Sequence, residues 1–271
     1  MKNIKYILLL VVAVLSVGCE DVVDVDLNEA APRLVIDASI NWEKGTSGNE
    51  QTIRLTTTAG YFQTGVPTVS NAVVFITDEN GTVFQFVENP GTGNYVCNDF
   101  IPVIDRNYVL TVIHEDETYT ASETLKSVPI IDMITQRNDG GFAGEDIEVK
   151  TFFTDDGTTE DYYLIKYQPS YAVIPEFDIS SDEFFQGNQF SDFFSSEDLS
   201  SGDTLGISLR GISKQYYNYM AVLGNIIGGG GPFQAPPANL KGNVVNQTNF
   251  NNYAFGYFSV SEMDSREYIV E

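Results

Sequence analysis

Apolar side chains recur at every second position along much of this chain, and that period limits the fold more than any other feature. Leu34, Ile36, Ala38 and Ile40 share one parity, Ile53 and Leu55 repeat it among threonines, and Ile147, Val149, Thr151 and Phe153 repeat it again. Successive side chains point to opposite faces in an extended strand, so a period of two places these segments in half-buried sheets. Long helical periodicity is scarce. The expected class is therefore mainly β, with two β-sandwich-like domains, the second carrying one helix and a long aromatic insertion.

Further strands are expected at Ala72 to Thr77 and Thr82 to Val87, joined by the turn Asp78-Glu79-Asn80-Gly81, in which glycine takes positive φ without steric cost. Gly93-Asn94-Tyr95, Arg106 to Ile113 and Thr118 to Glu123 complete an immunoglobulin-like sandwich over 32–128. Val128-Pro129 breaks the pattern, which places a boundary at Ser127 to Asp132 and a second mainly β domain over 132–271. Its expected strands include Tyr162 to Tyr167, Asp203 to Arg210, Gly242 to Val245, Tyr253 to Val260 and Glu267 to Val270. Ile212, Tyr216, Tyr219, Met220, Leu223 and Ile227 recur at helical spacing, which puts one helix near 212–227 with Ser213 as N-cap and Gly224 and Gly228 as terminators.

The amino terminus reads differently. Lys2 and Lys5 precede the apolar run Ile7 to Val17, well short of the ~20 residues a membrane-crossing helix needs, so 1–18 is expected to be a signal peptide. Gly18-Cys19 follows directly, with Ser16 where the usual lipobox has Leu, Val or Ile. Cleavage before Cys19 and lipid on its thiol are expected, giving stable membrane attachment through several acyl chains. Residues 19–31 then form the anchor and a first strand or tether, in which Val23, Val25 and Leu27 alternate with Asp24, Asp26 and Asn28. With 38 acidic against 14 basic residues, the formal charge is −24, which excludes nucleic acid as a partner and disfavours adhesion to anionic lipid. With Cys19 acylated, Cys97 is left without a disulfide partner, as a buried inert thiol.

Phe177 to Ser201 holds six phenylalanines, Phe177, Phe184, Phe185, Phe190, Phe193 and Phe194, among aspartates and serines. Two readings stand side by side. In one it is a recognition insertion whose Phe184, Phe185, Phe190, Phe193 and Phe194 bind a partner; in the other the rings cap the second core. No catalytic constellation is expected. His114, the only histidine, falls at a hairpin turn as a surface residue, and no nucleophile-elbow motif accompanies it. Asp155, Asp156 and Asp161 lack an EF-hand spacing and read as solvated turn carboxylates, so no metal or cofactor is expected. Gly228 to Gly231 precedes Pro232 and no lysine, and reads as a helix exit rather than a phosphate loop. Paired carboxylates for hydrolysis depend on three-dimensional separation, so a surface hydrolase stays as an alternative to a binding module, as does a structural or adhesive envelope role.

Pro232-Phe233, Pro236-Pro237-Ala238-Asn239-Leu240-Lys241-Gly242-Asn243-Val244 and Phe255-Gly256-Tyr257-Phe258-Ser259-Val260-Ser261 carry a family signature. Cys19 with its acidic start, Leu34-Val35-Ile36, Gly93-Asn94-Tyr95, Tyr108-Val109-Leu110 and Asp161-Tyr162-Tyr163-Leu164 fall in the same order. Together they resemble the Bacteroidota lipoproteins of domain-of-unknown-function family 4249. The resemblance implies an outer-membrane lipoprotein, encoded beside a TonB-dependent receptor and acting as its accessory partner, with no catalytic residues to carry over. Cys19-Glu20-Asp21 resembles the acidic run that sends such lipoproteins to the cell surface, although Val22 and Val23 interrupt it.

Overall fold

The alternation is realised first along β1 (Leu34–Glu43), where Leu34, Ile36, Ala38 and Ile40 are buried and the residues between them are not. The computed structural model describes residues 31–60, 63–141, 143–227 and 240–271. Cys19, the Val23 to Leu27 alternation, Gly228 to Gly231 and Pro232 to Asn239 lie outside them.

After β1 come β2 (Gln51–Thr57), β3 (Val73–Asp78), β4 (Val83–Glu88), β5 (Asn94–Cys97), β6 (Asn107–His114) and β7 (Glu117–Thr124). The β3–β4 turn closes as expected, with Gly81 at φ 84° and Asp78 Oδ1 accepting from the amides of Asn80 at 3.0 Å and Thr82 at 2.8 Å. The next strands are β8 (Ile131–Gly140), β9 (Asp146–Thr154), β10 (Tyr162–Pro169), β11 (Glu176–Ser181), β12 (Gln189–Ser196) and β13 (Thr204–Ile212). Helix α1 (Lys214–Ile227), the short β14 (Val245–Asn246) and β15 (Phe255–Ile269) complete the described chain. A large sheet runs β11-β10-β13-β15-β1-β2-β5-β4-β3-β6-β7-β14, and a small one runs β12-β9-β8. The protein is mainly β, and residues 32–271 form one compact unit.

Two cores result. The large sheet curls until Ile36 and Ile53 on one wall meet Val74, Ile76 and Leu110 on the other, and Phe258 and Val260 of β15 fill the same space. Tyr163, Ile165 and Tyr167 of β10 and Leu205, Ile207 and Leu209 of β13 pack instead against Val149, Phe153 and Phe194 of the small sheet. The opposite face of β10 and β13 is covered at one end by α1, whose Tyr216 and Tyr219 rings lie tilted against Tyr257 with centroids 4.5 and 4.7 Å away. Ser213 caps that helix, its hydroxyl accepting from Tyr216 N–H at 3.1 Å while donating to Glu123 of β7 at 2.9 Å. Ile212 ends β13 rather than starting the helix, and Gly224 lies inside the helix rather than terminating it, where a Cβ would meet only open space.

The sequence boundary at Ser127 to Asp132 falls between the cores, but β15 crosses it. That strand pairs in parallel with β1, Val35 opposite Phe255 and Trp42 opposite Glu262, and antiparallel with β13. Its buried Glu262 accepts from Val128 N–H at 3.0 Å and its Asp264 from Ile131 N–H at 2.7 Å. The first core is therefore not closed by residues 32–128 alone.

The family signature has a physical basis here. Asn243 clamps the Phe258 backbone, donating from Nδ2 to its carbonyl at 2.8 Å and accepting from its amide at 2.9 Å. Gly256, at φ 96°, lies so close to β1 that a Cβ would overlap the carbonyl of Ile36, and a Cβ on Gly242 would overlap the carbonyl of Gly256.

Candidate functional site

The aromatic segment is not a loop. β11 is an edge strand of the large sheet and β12 an edge strand of the small one, joined through a 3-10 turn over Asp182–Phe184. Phe194, 2% exposed, packs on Tyr167 with ring centroids 5.5 Å apart. Phe185 and Phe190 stack at 4.2 Å and meet the edge of Phe153. Phe184 and Phe193 are 90% and 56% exposed, and Phe177 is exposed on β11. The five candidate residues thus divide: Phe185, Phe190 and Phe194 pack into the second core, while Phe184 and Phe193 stand exposed. Strand alternation sets the division: Phe194 faces inward, so its neighbour Phe193 is held outward on rigid backbone.

Outside the small sheet, Phe193 borders an open groove of about 580 Å³ together with Arg137, Asp146, Glu148, Lys150 and Ser195. Arg137 donates to Glu148 at 2.7 Å, and this guanidinium holds the Glu148 carboxyl below the usual carboxylate range. The groove is therefore lined by side chains of both charges and by one aromatic ring.

Asp192 lies on the inward row of β12 between Phe190 and Phe194, and burial together with the charge of Asp178 pushes its carboxyl up to about 6. The folded state thus favours the neutral acid. Its contribution to stability is full below the unfolded value of 3.8 and is lost as pH rises through about 6. Asp192→Asn is expected to stabilise the protein by about 2 kcal/mol at pH 8 and by little at pH 4, read by urea unfolding at both. Equal effects at the two pH values would contradict it.

At the junction of β9, β10 and the 3-10 turn, Asp155, Asp161 and Asp182 each bring one carboxylate oxygen within 4.8 Å of the others. Asp155 is buried, contrary to its reading as a solvated turn carboxylate, because it organises two turns. It accepts from the amides of Gly157 at 2.9 Å and Gly187 at 2.7 Å and from the Tyr163 hydroxyl. Asp156 is exposed, as read. Asp161 accepts from the Thr159 hydroxyl at 2.8 Å, and burial and the charges of Asp155, Asp156 and Asp182 raise its carboxyl. Asp182, 2% exposed, has an Oδ2 that no hydrogen-bond donor among the described residues reaches. Sequence reasoning missed Asp182, since nothing in its spacing from Asp155 marks the two as neighbours.

His114 ends β6, partly exposed, just before the turn at Glu115 and Asp116, whose φ values are 49° and 61°. Cys97 is 1% exposed, and burial pushes its thiol up to about 11. Among the described residues no helix is long and apolar enough to cross a membrane.

A large curled sheet, a smaller one and a single described helix define a mainly β protein of β-sandwich-like architecture. The chain belongs to DUF4249, a family described as a domain of unknown function, whose model matches residues 20–267. No curated protein matches it. It is similar to a two-domain fibronectin type III segment of chicken tenascin at 13% identity, covering 66% of this chain and 90% of that one with a TM-score of 0.22. Similarity also extends to a cytokine receptor complex at 8% identity, covering 67% and 92% with a TM-score of 0.27. A DUF4785 family protein of Legionella pneumophila matches at 10% identity, covering 66% and 51% with a TM-score of 0.26. Scores this low carry no functional argument.

Proposed function

We propose that this chain is an outer-membrane lipoprotein, anchored by lipid on Cys19, that serves as a non-catalytic binding partner of a TonB-dependent transporter. The observation that carries the reading is the outward display of Phe184 and Phe193 beside rings that are packed inward. A large ring left in water gives up the stabilisation of burial, and rings fixed on strands or turns lose little further entropy when a partner covers them. The groove beside Phe193 adds a mixed-charge lining of the kind that orients such contacts. The signature around Cys19 supports the anchor, and the resemblance of the sequence to Bacteroidota lipoproteins supports the setting.

The test uses the full-length lipoprotein, gently solubilised from the membranes of the cell that makes it. Phe184→Ala with Phe193→Ala is expected to reduce recovery of the co-purifying transporter, identified by mass spectrometry, since hot-spot rings contribute about 2 kcal/mol each, roughly thirtyfold in affinity. Cys19→Ser is expected to abolish incorporation of labelled fatty acid. Unchanged recovery would sink the surface, and retained label would sink the anchor.

A further inference from the structure

We propose that Asp155, Asp161 and Asp182 form a binding site for one divalent cation of the calcium class, a site that stands independently of any transporter partner. All donors are carboxylate oxygens, the ligand set of hard cations rather than of zinc or copper. Two oxygens held ~2.4 Å from one calcium ion lie at most ~4.8 Å apart, and the three oxygens here already meet that limit. No lysine or arginine among the described residues forms an ion pair with any of the three.

Asp182 points to the ligand most directly. Its carboxyl is almost wholly buried, faces two other carboxyls, and leaves Oδ2 without a donor. Buried polar groups find partners, and a cation would offset the mutual repulsion of three facing carboxylates and give Asp182 Oδ2 the partner it lacks. Asp155 differs, being fixed by two amides and a tyrosine hydroxyl before any ion arrives. It thus provides a preorganised ligand, and Asp161, only partly buried, supplies the exposed side. A cavity of about 150 Å³ lined by Asp156, Asp161, Tyr163 and Ser127 to Pro129 adjoins the cluster on the Asp161 side and leaves room there for water. Binding would join the end of β9, the start of β10 and the turn that carries Phe184.

Full-length lipoprotein in detergent, stripped with EDTA, is titrated with calcium alone and terbium alone. Expected is one terbium per chain, with emission sensitised by the adjacent Tyr163 and displaced by calcium. At a hundredfold excess over Kd, calcium should raise Tm by roughly 5 to 10 °C. Asp182→Asn and Asp161→Asn should each weaken binding by at least ~10-fold, and Asp182→Asn in EDTA should unfold no lower than the parent, because it removes a repelled charge. If Asp182→Asn does not fold, Asp161→Asn decides. The proposal is overturned if millimolar calcium leaves Tm unchanged, or if both variants keep the full rise, which would assign the ions to scattered surface carboxylates. An equal loss of stability in Asp182→Asn with and without calcium would overturn it too, making that carboxyl purely structural.

Discussion

Gly256→Ala is expected to cost on the order of 3 kcal/mol or more and to leave much of the protein unfolded under mild conditions. Two effects add at this position. Alanine at φ 96° is strained by roughly 1 to 2 kcal/mol, and its methyl would also push into the Ile36 carbonyl, separating β15 from β1. Gly65 provides the control, since its φ is 93° but no atom lies within 4 Å of a Cβ built there. Gly65→Ala should therefore carry the strain alone, about 1 kcal/mol. Urea unfolding of both variants separates strain from collision. Should Gly256→Ala cost no more than Gly65→Ala, the close approach of β15 to β1 contributes nothing.

Phe194→Ala is expected to lower stability by roughly 3 to 5 kcal/mol, because it opens a ring-sized cavity between Tyr167 and the small sheet. Phe184→Ala should stay within about 0.5 kcal/mol of the parent, as its ring touches mainly solvent. Thermal unfolding of the single variants checks the pair. A stability loss for Phe184→Ala comparable to that of Phe194→Ala would make the exposed ring a core residue and remove the main support for a docking surface.

Alternation made β1 and the β3–β4 hairpin legible, since each has one clean apolar face and neighbours that turn sharply, whereas β10 was legible as a short apolar run that is buried on both faces. Ser213 was legible for a local reason, a hydroxyl followed by uninterrupted helical spacing, and it stands one position before the helix begins. The strands that escaped are the outer ones. β12 carries Asp192 on its inward row and Phe193 on its outward row, so burial and polarity no longer coincide. β8 is largely polar and irregular in register, with breaks at Ile131/Met133 and Arg137/Gly140. β11 is exposed over Glu176, Phe177 and Asp178. A strand with one free edge needs less apolar sequence, and its period fades. Of the site, the ring residues could be named but not sorted into inward and outward, which depends on register. Asp155 and Asp161 could be named as carboxylates but not as members of one cluster, because their third neighbour comes from a turn beyond β11.

The parallel pairing of β1 with β15 also sets a clock. Val35 must wait for Phe255, and Phe258 fills the space between strands made long before it. Contacts between such distant positions demand closure of a long loop before any of their stabilisation is realised, so folding should be slow compared with that of a helical chain of similar size. A chain made from its amino end has no complete first core until β15 has been synthesised. For that whole interval the early strands stay open to whatever carries or shields them.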